Sequence, residues 1–470
     1  MTERRAGREA TEATEAPPWR EVFQGRRGRL TAGLLLLEAL VAVEALVVTT
    51  IMPDIRRDLG QLELYGLAFS ATALATFGAI PIAGHAADRY GPRRVLPFML
   101  GVFLAGLLIA GTAPSMPVFI VGRFFQGAGA GALYSVSLGT VAKTYPDRLR
   151  PRVLALLASM WVLPGLVGPP FGALLASTVG WRWAFLAPVP VLLLGWALIS
   201  PALNQVPTSR ETSSTRLPIR WPLQLTVGTG LFLTGLTIVS WWALPLVLAG
   251  IALGLPALLH IIPKGTLRAA PGVPAAAAAA FLLSMSFFGI DSFITLMLTG
   301  VRGLSLAEAS IVVTAATITW SLGSFWQSSR ADRIPLGRLV LIGTWLVTLG
   351  TIGVASGLLV SVPVWIAYAG WGLAGVGMGI AFPTVPLSVM RVATAGNEAG
   401  ELSSTLLMDT LGMAVGAGLG GGAVAYARAT DAGLVSGIGG AYLVGFVAIL
   451  ALFVVARRIP SATGAERGQG

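Results

Sequence analysis

Apolar runs of about 20 residues recur along nearly the whole chain, and that is the length a helix needs to cross about 30 Å of hydrocarbon. No other feature of the sequence restricts the fold as much. A backbone inside lipid must satisfy its own hydrogen bonds, so only helices and closed barrels can span it. A barrel would show short alternating segments, and none is present. With 55% hydrophobic and 11% charged residues over 470 positions, the polar surface is too small for a soluble protein of this size. An all-α integral membrane fold is expected.

Six spans are predicted first, at 31–52, 64–83, 95–113, 116–142, 152–178 and 183–203. Residues 204–221, rich in Pro, Ser and Thr, read as a cytoplasmic linker. Two further runs, 222–240 and 243–262, precede a second set of six at 275–299, 305–327, 338–358, 363–389, 402–426 and 434–456. The expected architecture is therefore fourteen transmembrane helices: an N-terminal bundle over 31–203, an inserted pair over 222–262 and a C-terminal bundle over 263–456. Residues 1–30 and 457–470 read as cytoplasmic tails, the first hydrophilic enough to be disordered. The first apolar run follows without a small-residue cleavage site and is read as a retained span.

The net charge of +11 is spread over short loops, which argues for topology and against nucleic acid. Placing the N-terminus inside leaves only Arg56, Arg57, Arg182, Arg302 and Arg428 outside and Arg123 within a span, with every other Lys and Arg on the inner side. That asymmetry follows the positive-inside rule and puts both termini in the cytoplasm. The chain has no cysteine and only two histidines, His85 and His260, so disulfides, thiolate chemistry and multi-histidine metal sites are not expected, and no cofactor is implied.

The sequence repeats itself. GHAADRYGPRR, from Gly84 to Arg94, is echoed by SSRADRIPLGR, where Ala87, Asp88, Arg89 and Arg94 align with Ala331, Asp332, Arg333 and Arg338. Gly122, Gly127, Gly129 and Gly131 of the fourth span align with Gly370, Gly375, Gly377 and Gly379 of the twelfth, and Trp371 then takes the position of Arg123. Two pseudo-symmetric halves with a site between them near the midplane are a common transporter design.

Together with this repeat, several motifs make the chain resemble a major facilitator superfamily transporter, in particular the 14-helix drug:proton antiporter branch. Gly84, Asp88, Arg89, Gly91, Arg93 and Arg94 fit GxxxDRxGRR with Pro92 inserted; Arg123, Gln126 and Gly127 fit RxxQG; Gly168, Pro169 and Gly172 fit the core of the fifth-helix antiporter motif. WRWAF at 181–185 matches the turn into the sixth helix, and Glu44 lies where the branch carries an acid in the first. Pro164 and Ala173 stand where the fifth-helix motif has glycines, Glu44 replaces the usual Asp, and Ser328 stands where the second-half loop would begin with glycine. The resemblance implies a monomeric carrier in the plasma membrane, a bacterial inner membrane, that moves hydrophobic or cationic small molecules outward against protons. An exporter of lipids or metabolites with the same fold remains open. An enzyme or a sensor is not expected, since no group of catalytic residues lies at one depth near a surface and no extramembrane domain is present.

The residues support roles of their own. Asp88 can pair with Arg89, Arg93 or Arg94 and with a helix end, forming a latch that holds the cytoplasmic face shut, with Asp332, Arg333 and Arg338 as its counterpart. Arg123 is the only arginine inside a span, and a charge there costs roughly 3 kcal/mol or more unless paired. It lies about 10 Å from the outer end of its helix, while Glu44 and Asp291 lie about 12 Å from theirs, so either is a depth-matched partner and a candidate proton carrier. Glu38 and Asp409, each about 10 Å from the inner end of its helix, are further candidates. Arg123, Gln126 and Tyr134 share one face of the fourth helix and are expected to line the cavity, with Trp161 and Trp371 as aromatic candidates.

Overall fold

The computed structural model describes residues 19–146, 162–203, 219–238, 240–331, 333–392 and 398–459, with a few isolated positions between 147 and 161. Within these, the fold is all helical, with fourteen long helices. They are α1 Gly25–Leu59, α2 Tyr65–Tyr90, α3 Pro92–Gly111, α4 Met116–Thr144, α5 Val162–Thr178, α6 Pro188–Leu203, α7 Arg220–Thr237, α8 Ala243–Ile261, α9 Val273–Gly300, α10 Leu306–Ser328, α11 Leu336–Ser356, α12 Trp365–Val392, α13 Glu398–Ala429 and α14 Gly433–Ala456. A single helical turn, Trp183–Leu186, precedes α6, and a 3₁₀ turn, Leu62–Leu64, precedes α2. Eleven of the described helices are long and apolar enough to cross a membrane.

Several boundaries differ from the sequence reading, for local reasons. α1 begins at Gly25, inside the expected tail, after a 3₁₀ turn at Trp19–Phe23. It also runs on to Leu59, so Arg56 and Arg57, expected in a loop, form its basic last turn, where they complement the carbonyl end of the helix. The Gly84–Arg94 motif is mostly not a loop. α2 continues to Tyr90, the chain reverses at Gly91 with φ +81°, and Pro92 opens α3. A positive φ favours glycine, and proline is preset for the first helical turn. α10 opens on a capping box: the Glu308 backbone N–H donates to Ser305 Oγ, and the Ser305 backbone N–H donates to the Glu308 carboxylate.

The helices sort into two bundles whose contacts repeat. In the first, α2 and α3 pack on α4, and α1 packs on α4, α5 and α6; in the second, α10 and α11 pack on α12, and α9 packs on α12, α13 and α14. The correspondence extends to atoms. A Cβ on Gly127 would stand 2.1 Å from the Thr72 carbonyl oxygen and one on Gly131 2.6 Å from that of Thr76, while Gly375 would meet Ala316 O at 2.4 Å and Gly379 would meet Trp320 O at 2.0 Å. These glycines bring the backbones of the second and fourth helices of each half into direct contact, as small residues do in membrane bundles.

The bundles meet along two related seams, α2 with α13 and α5 with α10, and α1 touches α9 between them. Closure is tight at the ends that the charge asymmetry assigns to the outside. A Cβ on Gly66 would lie 2.4 Å from Gly421 Cα, Ser70 Oγ donates to Ala414 O at 2.9 Å, and Arg428 Nε lies 3.3 Å from Glu63 Oε2. The inserted pair breaks the symmetry. α7 packs on both α2 and α13, so that Leu225 and Leu233 share a buried cluster with Leu74, Phe77, Met408 and Leu411.

Candidate functional site

The centre of the first bundle holds a charge cluster drawn from two helices. Arg123 Nη1 donates to Glu44 Oε1 at 2.5 Å and to Gln126 Oε1 at 3.0 Å, and Gln126 Nε2 donates to the same Glu44 oxygen at 2.9 Å. Glu44 is 4% exposed, Arg123 3% and Gln126 0%. α4 carries Arg123 and Gln126 one turn apart, so one face of that helix presents both to α1. Behind Glu44, α5 packs close: a Cβ on Gly172 would be 2.7 Å from Val47 Cγ1, and one on Gly168 would be 3.6 Å from Leu46 Cβ, with Pro169 between them. The antiporter-motif residues therefore back the helix that carries the acid.

Of the two depth-matched acids, Glu44 alone meets Arg123. Asp291 sits in the other bundle and accepts a hydrogen bond from the Trp371 indole at 3.2 Å. Each half thus joins an acid on its first helix to a donor on its fourth, and Arg123 and Trp371 occupy the same repeat position. Their electrostatics differ: one acid has a guanidinium, the other a neutral N–H. Trp371 is fully buried and stacks on Phe287 at 4.5 Å, with Trp320 edge-on to Phe287 at 5.5 Å. It is a packed core ring rather than an open pocket wall.

Arg123 and Gln126 do not line an open surface either. Tyr134, three turns nearer the C-terminal end of α4, is the member of that face that is 39% exposed, and Glu38 and Asp409 lie within electrostatic reach of it. Asp409 also accepts from Ser284 Oγ, which links α13 to α9. Glu38 and Asp409, one from each bundle, thus surround Tyr134 at electrostatic range, nearer than Glu44 to the end that the charge asymmetry assigns to the inside.

The cytoplasmic motif is described in part. Arg89, Arg93, Arg94, Arg333 and Arg338 are exposed, and the Arg89 guanidinium lies 5.3 Å from the Tyr90 ring centroid. Gly84 approaches Ser135 of α4, where a Cβ would be 2.9 Å from Oγ. Asp332 and Trp161 lie outside the described residues, as does the side chain of Asp88. Among the described residues no three His, Cys, Asp or Glu side chains are placed to hold a metal ion.

Three groups that the sequence reading passed over lie beside Asp291. The hydroxyls of Tyr65, Tyr442 and Thr295 are buried without a hydrogen-bond partner. Both tyrosines fall within electrostatic reach of Asp291, and Thr295 is one turn along its helix. Tyr65, at the start of a predicted span, reads as part of the interfacial belt, and Tyr442, well inside one, as a core ring, so only the spacing of Thr295 from Asp291 could have signalled this group.

Comparison with known proteins bears on these features together. The pattern of the Major Facilitator Superfamily matches residues 34–404. The chain is 24% identical over 409 residues to the multidrug transporter protein MdtP of Bacillus subtilis, covering 82% of this chain and 73% of that one. It is 25% identical over 426 residues to the methylenomycin A resistance protein of Streptomyces coelicolor, covering 87% and 86%. Among solved structures, a D-xylose–proton symporter superposes with a TM-score of 0.67 at 13% identity, covering 93% of this chain and 99% of that one, a likeness of fold. Two six-helix bundles, their repeated glycine contacts and a family match over most of the sequence agree: this multi-pass membrane protein belongs to the Major Facilitator Superfamily of transporters.

Proposed function

We propose that the chain is a proton-coupled exporter of hydrophobic or cationic small molecules, working by alternating access as the two bundles rock about their seams. The observation that carries this reading is the Glu44–Arg123–Gln126 cluster, a buried ionisable group inside a bundle of a transporter fold. Intramembrane charges mark ion pathways because lipid tolerates them nowhere else. The pairing of Glu44 with Arg123 gives one of the two states a proton-driven charge switch requires, the other being a protonated Glu44 released from its partner. The names of the Bacillus and Streptomyces relatives support export of toxic compounds. Tyr134, exposed, and the half-buried Glu38 and Asp409 within its electrostatic reach are suited to receive cargo and pass on protons. On this reading the protein acts as a monomer in a bacterial inner membrane, with both termini in the cytoplasm.

The test is accumulation of a lipophilic cationic dye by cells expressing the protein, with and without a proton uncoupler. Wild type should lower accumulation, the uncoupler should abolish that effect, and Glu44→Gln, at equal expression, should accumulate dye like cells without the transporter. Equal, uncoupler-sensitive export by wild type and Glu44→Gln would remove Glu44 from the coupling.

A further inference from the structure

The inserted pair has an inward side and an outward one. α8 turns Gly250 and Gly254 toward α7, where a Cβ on Gly250 would lie 2.5 Å from the Phe232 backbone nitrogen and one on Gly228 would lie 2.4 Å from that of Gly254. Leu244, Leu248, Ile251, Leu255 and Leu259 form an exposed row along α8, because steps of three and four residues keep to one side of a helix. The row holds only large aliphatic side chains, whereas helices that associate within a bilayer pack on small ones. It is built for acyl chains rather than for another helix. The 19 residues of Ala243–Ile261 reach about 28 Å, the depth of the hydrocarbon.

The two ends of the row differ. At the end that the charge asymmetry assigns to the outside stand Trp241 and Trp242, both exposed, with ring centroids 3.7 Å apart, an uncharged interfacial anchor. The inner end is cationic. Trp221, second residue of α7, packs on the buried cluster beneath the pair. Its ring carries the Arg220 guanidinium 4.2 Å from the centroid and stacks on the His260 imidazole, also at 4.2 Å. One indole thereby fixes a polar group from each helix of the pair, directly beside Leu259, and Lys264 follows four residues after His260. Arg220, His260 and Lys264 are all exposed. Among the described residues none of them pairs with a carboxylate, and the sequence has no Asp or Glu between Glu211 and Asp291. The missing counter-charge has to come from outside the chain.

We propose that the inserted pair binds an anionic phospholipid of the inner leaflet, with the phosphate held by Arg220 and Lys264 beside His260 and an acyl chain laid along Leu259, Leu255, Ile251 and Leu248. Lying over the indole, the Arg220 guanidinium keeps its N–H edge for the phosphate oxygens, which its planar fork fits. Lys264 adds a second positive charge at the depth where anionic headgroups lie. Charge and apolar length thus match one molecule, a diacyl lipid with a negative headgroup. The assignment gives the inserted pair a role apart from the transport path, so it stands or falls independently of proton coupling.

Because the chain has no cysteine, a fluorophore can be attached at Leu255→Cys, on the row, or at Leu349→Cys, exposed on α11 of the second bundle. The full chain is placed in phosphatidylcholine nanodiscs containing a minor share of either brominated phosphatidylglycerol or brominated phosphatidylcholine. Quenching at Leu255 should be several-fold stronger with the brominated phosphatidylglycerol, and quenching at Leu349 should be the same with both. Arg220→Ala/Lys264→Ala should erase the difference at Leu255, and Arg26→Ala/Arg29→Ala, which removes two exposed cations at the start of α1, should keep it. High salt should weaken the preference in the chain with both cations intact. Equal quenching by the two lipids at Leu255, an equal preference for phosphatidylglycerol at Leu349, or a preference that survives Arg220→Ala/Lys264→Ala would each overturn the proposal. Weak quenching by both lipids in discs that hold two chains would give the row to a second copy and overturn it as well.

Discussion

Arg123 is held by one carboxylate and one amide, and among the described residues Glu44 has no other cation to replace it. Removing one member of a buried ion pair typically costs about 3–5 kcal/mol, because the survivor is left charged and unsolvated. Arg123→Ala should therefore lower the thermal unfolding temperature in detergent well below that of wild type, and adding Glu44→Gln should restore most of the loss. Equal melting of the single and double variants would show that Glu44 is not left as an uncompensated charge. Depth along a helix was readable in the sequence, and it selected Glu44 and Asp291 together. The choice between them depends on direction around the helix axis and on which bundle each helix joins, and neither is visible in one chain's spacing. Trp371 was found through the repeat, but its role as a donor to Asp291 was not, since a tryptophan among apolar residues gives no sign that its N–H faces an acid.

At the level of helices, glycine rows decide where backbones touch. Across the α2–α13 seam Gly66 lies directly against Gly421, and a side chain there has no room while the outer ends are together. Gly66→Val should hold those ends apart, lengthening the distance between spin labels at Val179→Cys and Ala307→Cys, two exposed positions at the outer ends of α5 and α10, and slowing transport without abolishing folding. A closed distance identical to that of wild type would mean that α2 can tilt to absorb the side chain. The fourteen helices and their two-half order were legible because apolar length and the glycine repeat are strong signals. The ends of α1 and α2 were not: Asp54, Arg56, Arg57 and Asp58 look like a loop, yet the i, i+3 ion pair of Arg57 with Asp54 at 2.7 Å and the bond from Arg182 to Asp58 at 2.6 Å accommodate them at a helix end.

For the molecule as a whole, the distribution of arginines predicts which end faces which compartment. In intact cells an impermeant thiol reagent should label Ala307→Cys from outside, and it should label Arg94→Cys or Arg338→Cys only after the membrane is opened. The reverse pattern would invert the assignment of outer and inner ends. The inserted pair α7–α8 has a consequence for traffic with the lipid. A carrier with two equivalent halves would offer the bilayer two equivalent side entrances, one at each seam. Here α7 lies across the α2–α13 seam, and the pair turns an apolar face outward, with Leu244, Leu248, Ile251, Leu255 and Leu259 exposed, while the α5–α10 seam has no such cover among the described helices. Among the described helices, one flank is thereby walled off from the lipid and the other is left uncovered, so the two halves do not face the membrane alike.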